Sequence, residues 1–165
     1  MNFEAYYQSL KPKIIPIGDA SIAVRKCGSG PNLCLIHGFP THGYTWRKIL
    51  PFLSKKFTCY VLDLPGLGDS QWTSTTDFKS ETHADRVIQL FDLLKVKNYS
   101  LIAHDSGATV ARIIALKRTK AVKKMVLFNT EIPKHRPPWI PLYQTIGLLP
   151  LIPWSIRQVM KSKLF

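Results

Sequence analysis

Residues 101–108 read Leu-Ile-Ala-His-Asp-Ser-Gly-Ala: an apolar run stops abruptly at a small residue, a candidate nucleophile and a glycine before a helix-like stretch begins. That order describes a strand-to-helix turn that exposes a nucleophile on a strained backbone, and the positions two residues to either side must then be small. Ala103 and Gly107 satisfy this around Asp105. Centring the turn on Ser106 puts His104 and Ala108 at the tight positions, and an imidazole is badly placed there, so Asp105 is the better centre. A carboxylate nucleophile favours a carbon bearing a leaving group over an ester carbonyl. A turn or helix cap without chemistry uses the same residue types, because Asp and Ser favour N-caps and Gly favours turns. The octapeptide alone leaves that reading open.

Upstream segments narrow it. Residues 32–36, Asn-Leu-Cys-Leu-Ile, read as a short buried strand that runs into His37-Gly38-Phe39-Pro40 and then a helix-like segment from about Tyr44. Gly38 lets the backbone come close to a substrate. The backbone N–H groups of Phe39 and Ser106 then form a pair of oxyanion donors. Pro40 permits a cis peptide in so tight a turn. Residues 57–62 form a further strand candidate, ending in Asp63-Leu64-Pro65-Gly66-Leu67-Gly68-Asp69-Ser70, whose glycines serve the turn.

These three segments, in this order, resemble the α/β-hydrolase superfamily and, within it, the branch of haloalkane dehalogenases and epoxide hydrolases. The resemblance spans nearly the whole chain. It implies an α/β fold, a mostly parallel sheet with helices on both faces. It also implies that Asp105, after His104, is the nucleophile, with the Phe39 and Ser106 amides as oxyanion donors and His37, Gly38, Pro40, His104 and Gly107 as the supporting turns. Residues 63–70 match the branch's structural loop. The implied reaction is attack by Asp105 on an alkyl halide or epoxide, then hydrolysis of the ester. The substrate is a small apolar organic molecule, and neither metal nor organic cofactor is called for.

The chain departs from the branch at two places. Ser106 stands where dehalogenases and many epoxide hydrolases carry tryptophan, and Phe39 stands where dehalogenases often carry asparagine. His-Gly-Phe-Pro resembles fluoroacetate dehalogenases, but those follow the nucleophile with arginines where this chain has Ser106 and Thr109. Two other readings stay in play: a non-catalytic remnant of the fold that only binds or interacts, and a serine esterase with Ser106 as nucleophile.

Periodicity predicts strands near 13–17, 20–26, 32–36, 57–62, 99–104 and 122–128, and helices near 44–54, 81–95 and 106–119. In the second helix Ala84, Val87, Ile88, Phe91 and Leu94 form the apolar stripe, which turns Thr82, His83, Arg86, Gln89 and Lys97 to water. The resemblance implies two further strands followed by a catalytic acid and a histidine, and the chain stops at Phe165 before them. Residues 1–135 are thus expected to be the N-terminal part of the core and 136–165 the start of the cap, with the last strands and most of the cap missing. Asn129, rather than Glu131, aligns with the position at which some relatives carry their acid, and His135 lies in a polar loop.

Composition sets outer bounds. The 165 residues are 45% hydrophobic, which suits a globular core. A net charge of +13 invites non-specific attraction to polyanions at low salt. The basic residues are scattered, and no stacking platform supports a specific nucleic-acid role. Three cysteines without metal spacing are expected to be reduced thiols. Residues 139–156 are uncharged, but Pro141, Pro150 and Pro153 make a spanning helix poor and leave at most weak contact with a membrane surface. The N-terminus lacks the apolar stretch of a signal peptide, so a cytoplasmic location is expected. Oligomeric state is not encoded in any of these features.

Overall fold

A computed structural model describes residues 2–130. Expectations for Glu131, His135, the apolar stretch 139–156 and the boundary at 135/136 lie outside the described residues. The elements are α1 (Phe3–Ser9), β1 (Lys13–Ile17), β2 (Ala20–Cys27), β3 (Asn32–Ile36), a 3-10 turn (Gly43–Trp46) and α2 (Leu50–Leu53). They continue with β4 (Thr58–Asp63), β5 (Gln71–Trp72), α3 (Ser80–Leu93), β6 (Tyr99–His104), α4 (Ser106–Lys117) and β7 (Val122–Phe128). The sheet runs β1-β2-β4-β3-β6-β7, with the short β5 added beside β2. β4, β3, β6 and β7 are mutually parallel, and β2 is antiparallel to β1, β4 and β5. The expected mostly parallel α/β architecture is the one observed.

Side-chain alternation divides the sheet into two cores. Cys34, Ile36, Tyr60, Leu62, Leu101 and Ala103 point to the face covered by α3 and α4. Leu33, Leu35, Cys59 and Val61 point to the opposite face, where they meet Tyr7, Trp46 and Leu50. Strands with apolar residues on both faces read as continuous hydrophobic runs, which is how central parallel strands betray themselves.

Several elements differ from the sequence reading. The helix expected over 44–54 is a 3-10 turn followed by the four-residue α2, because Pro51 has no N–H to donate and is tolerated only at the start of a helix. The seven-residue α1 was not expected; Asn2 caps it through Oδ1, which accepts the Ala5 N–H at 3.0 Å, and Tyr7 fastens it to the sheet. His83 and Arg86 do not face water. Both are buried, and Arg86 donates from Nε and Nη2 to the Asp19 carboxylate at 2.6–3.0 Å, pinning α3 to the β1–β2 turn. The guanidinium holds the Asp19 carboxyl below its usual range, overcoming the opposing effect of desolvation.

Candidate active site

The site is built where two parallel strands end level with each other. Ile36 of β3 is in register with Ala103 of β6, so the residues that follow, His37-Gly38 and His104-Asp105, emerge side by side. Two glycines let them interlock. A Cβ on Gly38 would lie 2.3 Å from the Asp105 Cβ and 2.7 Å from the His104 carbonyl oxygen, and one on Gly107 would lie 2.2 Å from the His37 carbonyl oxygen. Each turn therefore admits only glycine where it meets the other.

Asp105 adopts φ 54°, ψ −131°, a conformation L-residues rarely take, between the end of β6 and the start of α4. Its N–H donates to the Phe128 carbonyl of β7 at 3.0 Å, so the neighbouring strand holds the strained residue in place. Its Oδ1 accepts the Ser106 N–H at 2.6 Å, and the carboxylate stands at the positive end of α4.

The Phe39 N–H donates to Ser106 Oγ at 3.0 Å, which brings the two amides singled out as oxyanion donors to the same small region. Phe39-Pro40 is cis. The turn winds around the Gly38 carbonyl, which accepts from Thr41 N–H at 2.9 Å and Thr41 Oγ1 at 2.7 Å. His37 braces it from beneath. Its Nε2 accepts the Leu64 N–H at 2.8 Å, which leaves the proton on Nδ1, 3.1 Å from the Gly38 oxygen. Burial lowers the His37 pKa, and this doubly engaged neutral ring is a brace rather than a base.

Below the site, residues 63–70 form a hub around the buried Asp63 carboxylate. Asp63 Oδ1 accepts the Gly43 N–H at 2.7 Å, while Oδ2 accepts Arg25 Nη1 at 3.2 Å and the Asp69 N–H at 3.0 Å. Arg25 also pairs with the Asp69 carboxylate, and Ser70 Oγ donates to the Asp63 carbonyl while accepting the Ala23 N–H at 2.8 Å. Gly68, at φ 58°, is required because a Cβ there would lie 2.4 Å from Asp63 Cγ. Thr41 and Arg25 were not foreseen from sequence, since a lone threonine after proline and a lone basic residue in a strand carry no pattern.

The other histidines among the described residues do not engage the carboxylate. His104 Nε2 lies 3.3 Å from Asn129 Nδ2, and His42 stacks on Tyr44. None of His37, His42, His83 and His104 hydrogen-bonds Asp105. Among the described residues no three His, Cys, Asp or Glu side chains cluster as metal ligands.

The chain is similar to known proteins. Residues 31–159 match the family model described as the alpha/beta hydrolase fold. A soluble epoxide hydrolase of Corynebacterium sp. is 36% identical over 102 residues, covering 62% of this chain and 35% of the relative. Haloalkane dehalogenase 2 of Mycobacterium bovis is 31% identical over 103 residues, covering 62% of this chain and 36% of the relative. The solved structure of the epoxide hydrolase CorEH superposes with a TM-score of 0.73 at 28% identity, covering 83% of this chain and 50% of that one. The chain thus spans little more than a third of the length of these curated relatives. Level strand ends, a glycine-tight elbow and a family match over most of the sequence lead to one assignment: the chain belongs to the alpha/beta hydrolase fold family.

Proposed function

We propose that this chain carries the nucleophilic part of a hydrolase that opens a carbon–heteroatom bond, of the epoxide hydrolase or haloalkane dehalogenase type, with Asp105 as nucleophile. The observation that carries the reading is the strained Asp105 backbone at φ 54°, enclosed by Gly38 and Gly107, with one carboxylate oxygen already held by the Ser106 N–H. Oδ1 stays on that amide, and a lone pair on Oδ2 attacks the electrophilic carbon in line. The carbon–halogen or carbon–oxygen bond breaks, its electron pair leaves with the halide or alkoxide, and an alkyl ester of Asp105 remains. Water then adds to the ester carbonyl and gives a proton to solvent; the Ser106 amide, and the Phe39 amide as it leaves Ser106 Oγ, receive the charge that develops on oxygen, and the ester C–O bond breaks to expel the alcohol and restore the Asp105 carboxylate. Ser106 Oγ, which accepts the Phe39 N–H and has no histidine bonded to it among the described residues, lacks the partner a serine nucleophile needs.

The test separates attack from turnover. With no histidine bonded to Asp105 among the described residues, ester hydrolysis forgoes roughly a hundredfold or more of general-base assistance, so an adduct should persist. Incubation of the 165-residue chain with a reactive epoxide or alkyl halide should add one equivalent by intact-mass spectrometry, mapped to residues 101–112. Asp105→Ala should abolish the adduct and Ser106→Ala should retain it. Labelling of Ser106 by a fluorophosphonate, or an adduct that survives in the Asp105 variant, would overturn the assignment.

A further inference from the structure

Cys27 and Cys59 face each other across the antiparallel β2–β4 ladder, as the last register pair at that end. Cys59 is wholly buried among Trp46, Leu50 and Val61, while Cys27 is partly buried at the border of the same cluster, which also includes Tyr6 and Phe57. Directly opposed residues in an antiparallel pair have Cα atoms about 4.5–5.5 Å apart, inside the span of about 4.4–6.8 Å that a disulfide needs.

Backbone packing keeps the pair together. A Cβ on Gly28 would lie 2.3 Å from the Phe57 carbonyl oxygen and 2.4 Å from that of Ser54, and one on Gly30 would lie 2.4 Å from that of Lys56. The chain leaving Cys27 therefore lies directly on the chain entering Cys59. Thr58 ties the two further, donating from its N–H to the Pro31 carbonyl at 3.0 Å and from Oγ1 to the Gly30 carbonyl at 2.9 Å.

We propose that Cys27 and Cys59 are an oxidative modification site that hydrogen peroxide converts into a cross-strand disulfide linking β2 to β4. The surroundings assign the roles. The neighbouring Cys59 thiol, helped by Tyr6, lowers the Cys27 pKa against the effect of burial. The proximity of Cys27 raises the pKa of Cys59, burial adds to the rise, and the Cys59 thiol donates to the Phe57 carbonyl at 3.8 Å. Negative charge settles on the more exposed sulfur, which suits it to react first. The Cys27 thiolate attacks one peroxide oxygen, the O–O bond breaks, and the departing hydroxide takes a proton to become water. The Cys59 sulfur then attacks the Cys27 sulfenic acid; the S–O bond breaks, and the hydroxide that leaves carries off the Cys59 proton as a second water. Two thiols lose two electrons and two hydrogens, and one peroxide is reduced to two waters.

The site is independent of the chemistry at Asp105. Cys59 is level with Leu33 near the start of β3, whereas Gly38 and Asp105 lie past the other ends of the parallel strands. Cys34 serves as an internal reference: it is wholly buried on the opposite face of the sheet, where desolvation pushes its thiol up.

The full chain, treated in native buffer with a small excess of hydrogen peroxide and quenched with a maleimide, reads out the proposal by intact mass and peptide mapping. The expected product has lost two hydrogens, has its Cys27 and Cys59 peptides joined, and keeps a free Cys34 that oxidises at least ~10-fold more slowly. Cys34→Ala should behave identically, while Cys59→Ala should leave Cys27 to gain oxygen without forming an internal bridge. Oxidation of Cys27 to a sulfinic acid while Cys59 stays free would overturn the proposal. So would bridging of two chains through Cys27, or oxidation of all three thiols at one rate.

Discussion

His37 and His83 are both buried imidazoles, and only one has its nitrogens matched. His37 accepts from Leu64 and sits against the Gly38 carbonyl, whereas His83 Nδ1 has no hydrogen-bond partner and its ring leans on Phe78. Burial, with the Arg86 charge behind it, lowers the His83 pKa from 6.5 to about 4. The folded state therefore takes up the proton less readily than the unfolded chain. Stability is fully present above pH 6.5 and declines as pH falls towards 4, the window between the unfolded and folded values. At 1.36 kcal/mol per unit the loss is roughly 3 kcal/mol, undiminished by solvent because His83 is 1% exposed. Urea titrations at pH 7 and pH 4.5 should show this drop. His83→Gln should reduce the slope and leave the part contributed by His37, whose pKa is also lowered. An unchanged slope in that variant would remove His83 from the account.

Helix α3 shows how a terminus is set without glycine. Lys95 follows it at φ 56°, the Lys95 N–H donates to Asp92 at 3.1 Å, and the Val96 N–H donates to Phe91 at 2.9 Å. This is the paired closure that usually employs glycine, with Val96 folding back on Phe91. A lysine there carries left-handed strain of about 1 kcal/mol and is exposed, so Lys95→Gly should raise stability by up to that amount. Lys95→Ala, which keeps the strain, should not. The denaturation midpoints of the two variants decide the matter. The same helix marks what sequence can and cannot convey. The six longer strands are legible because each is a short apolar run bounded by turn residues, and the elbow is legible because Ala103, Asp105 and Gly107 obey a steric rule local to five positions. The two-residue β5 and the split around Pro51 have too little periodicity to read. His83 and Arg86 look solvent-facing because polarity is taken for exposure; Asp19, more than sixty positions away, makes the burial of Arg86 tolerable. The bond from Phe39 to Ser106 Oγ joins segments equally distant in sequence, and no local pattern encodes it.

The molecule as a whole sets an apolar edge against a large like charge. β7 pairs with β6 on one side, and among the described residues no strand pairs with its other side. Met125, Val126 and Phe128 on it are 38%, 48% and 44% exposed. Such an edge offers both backbone groups and apolar side chains to a second copy. The net charge of +13 opposes the encounter. Part of the basic cluster near β7 is neutralised internally, Lys117 by Asp85 and Arg118 by Asp92, but Lys123 and Lys124 remain exposed on the strand itself. The 165-residue chain should accordingly self-associate more strongly as salt rises, because screening over a Debye length of about 10 Å at 0.1 M removes the repulsion and leaves the apolar contact intact. Val126→Lys should weaken association at every salt concentration without loss of folding, since that side chain is already half in water. Sedimentation velocity between low salt and about 0.3 M reads both effects, with the screening length falling across that range. Dissociation on adding salt would show the contacts to be ionic. An edge of this kind would then not be what joins the copies, and β7, which also holds Asp105 through the Phe128 carbonyl, would serve the elbow alone.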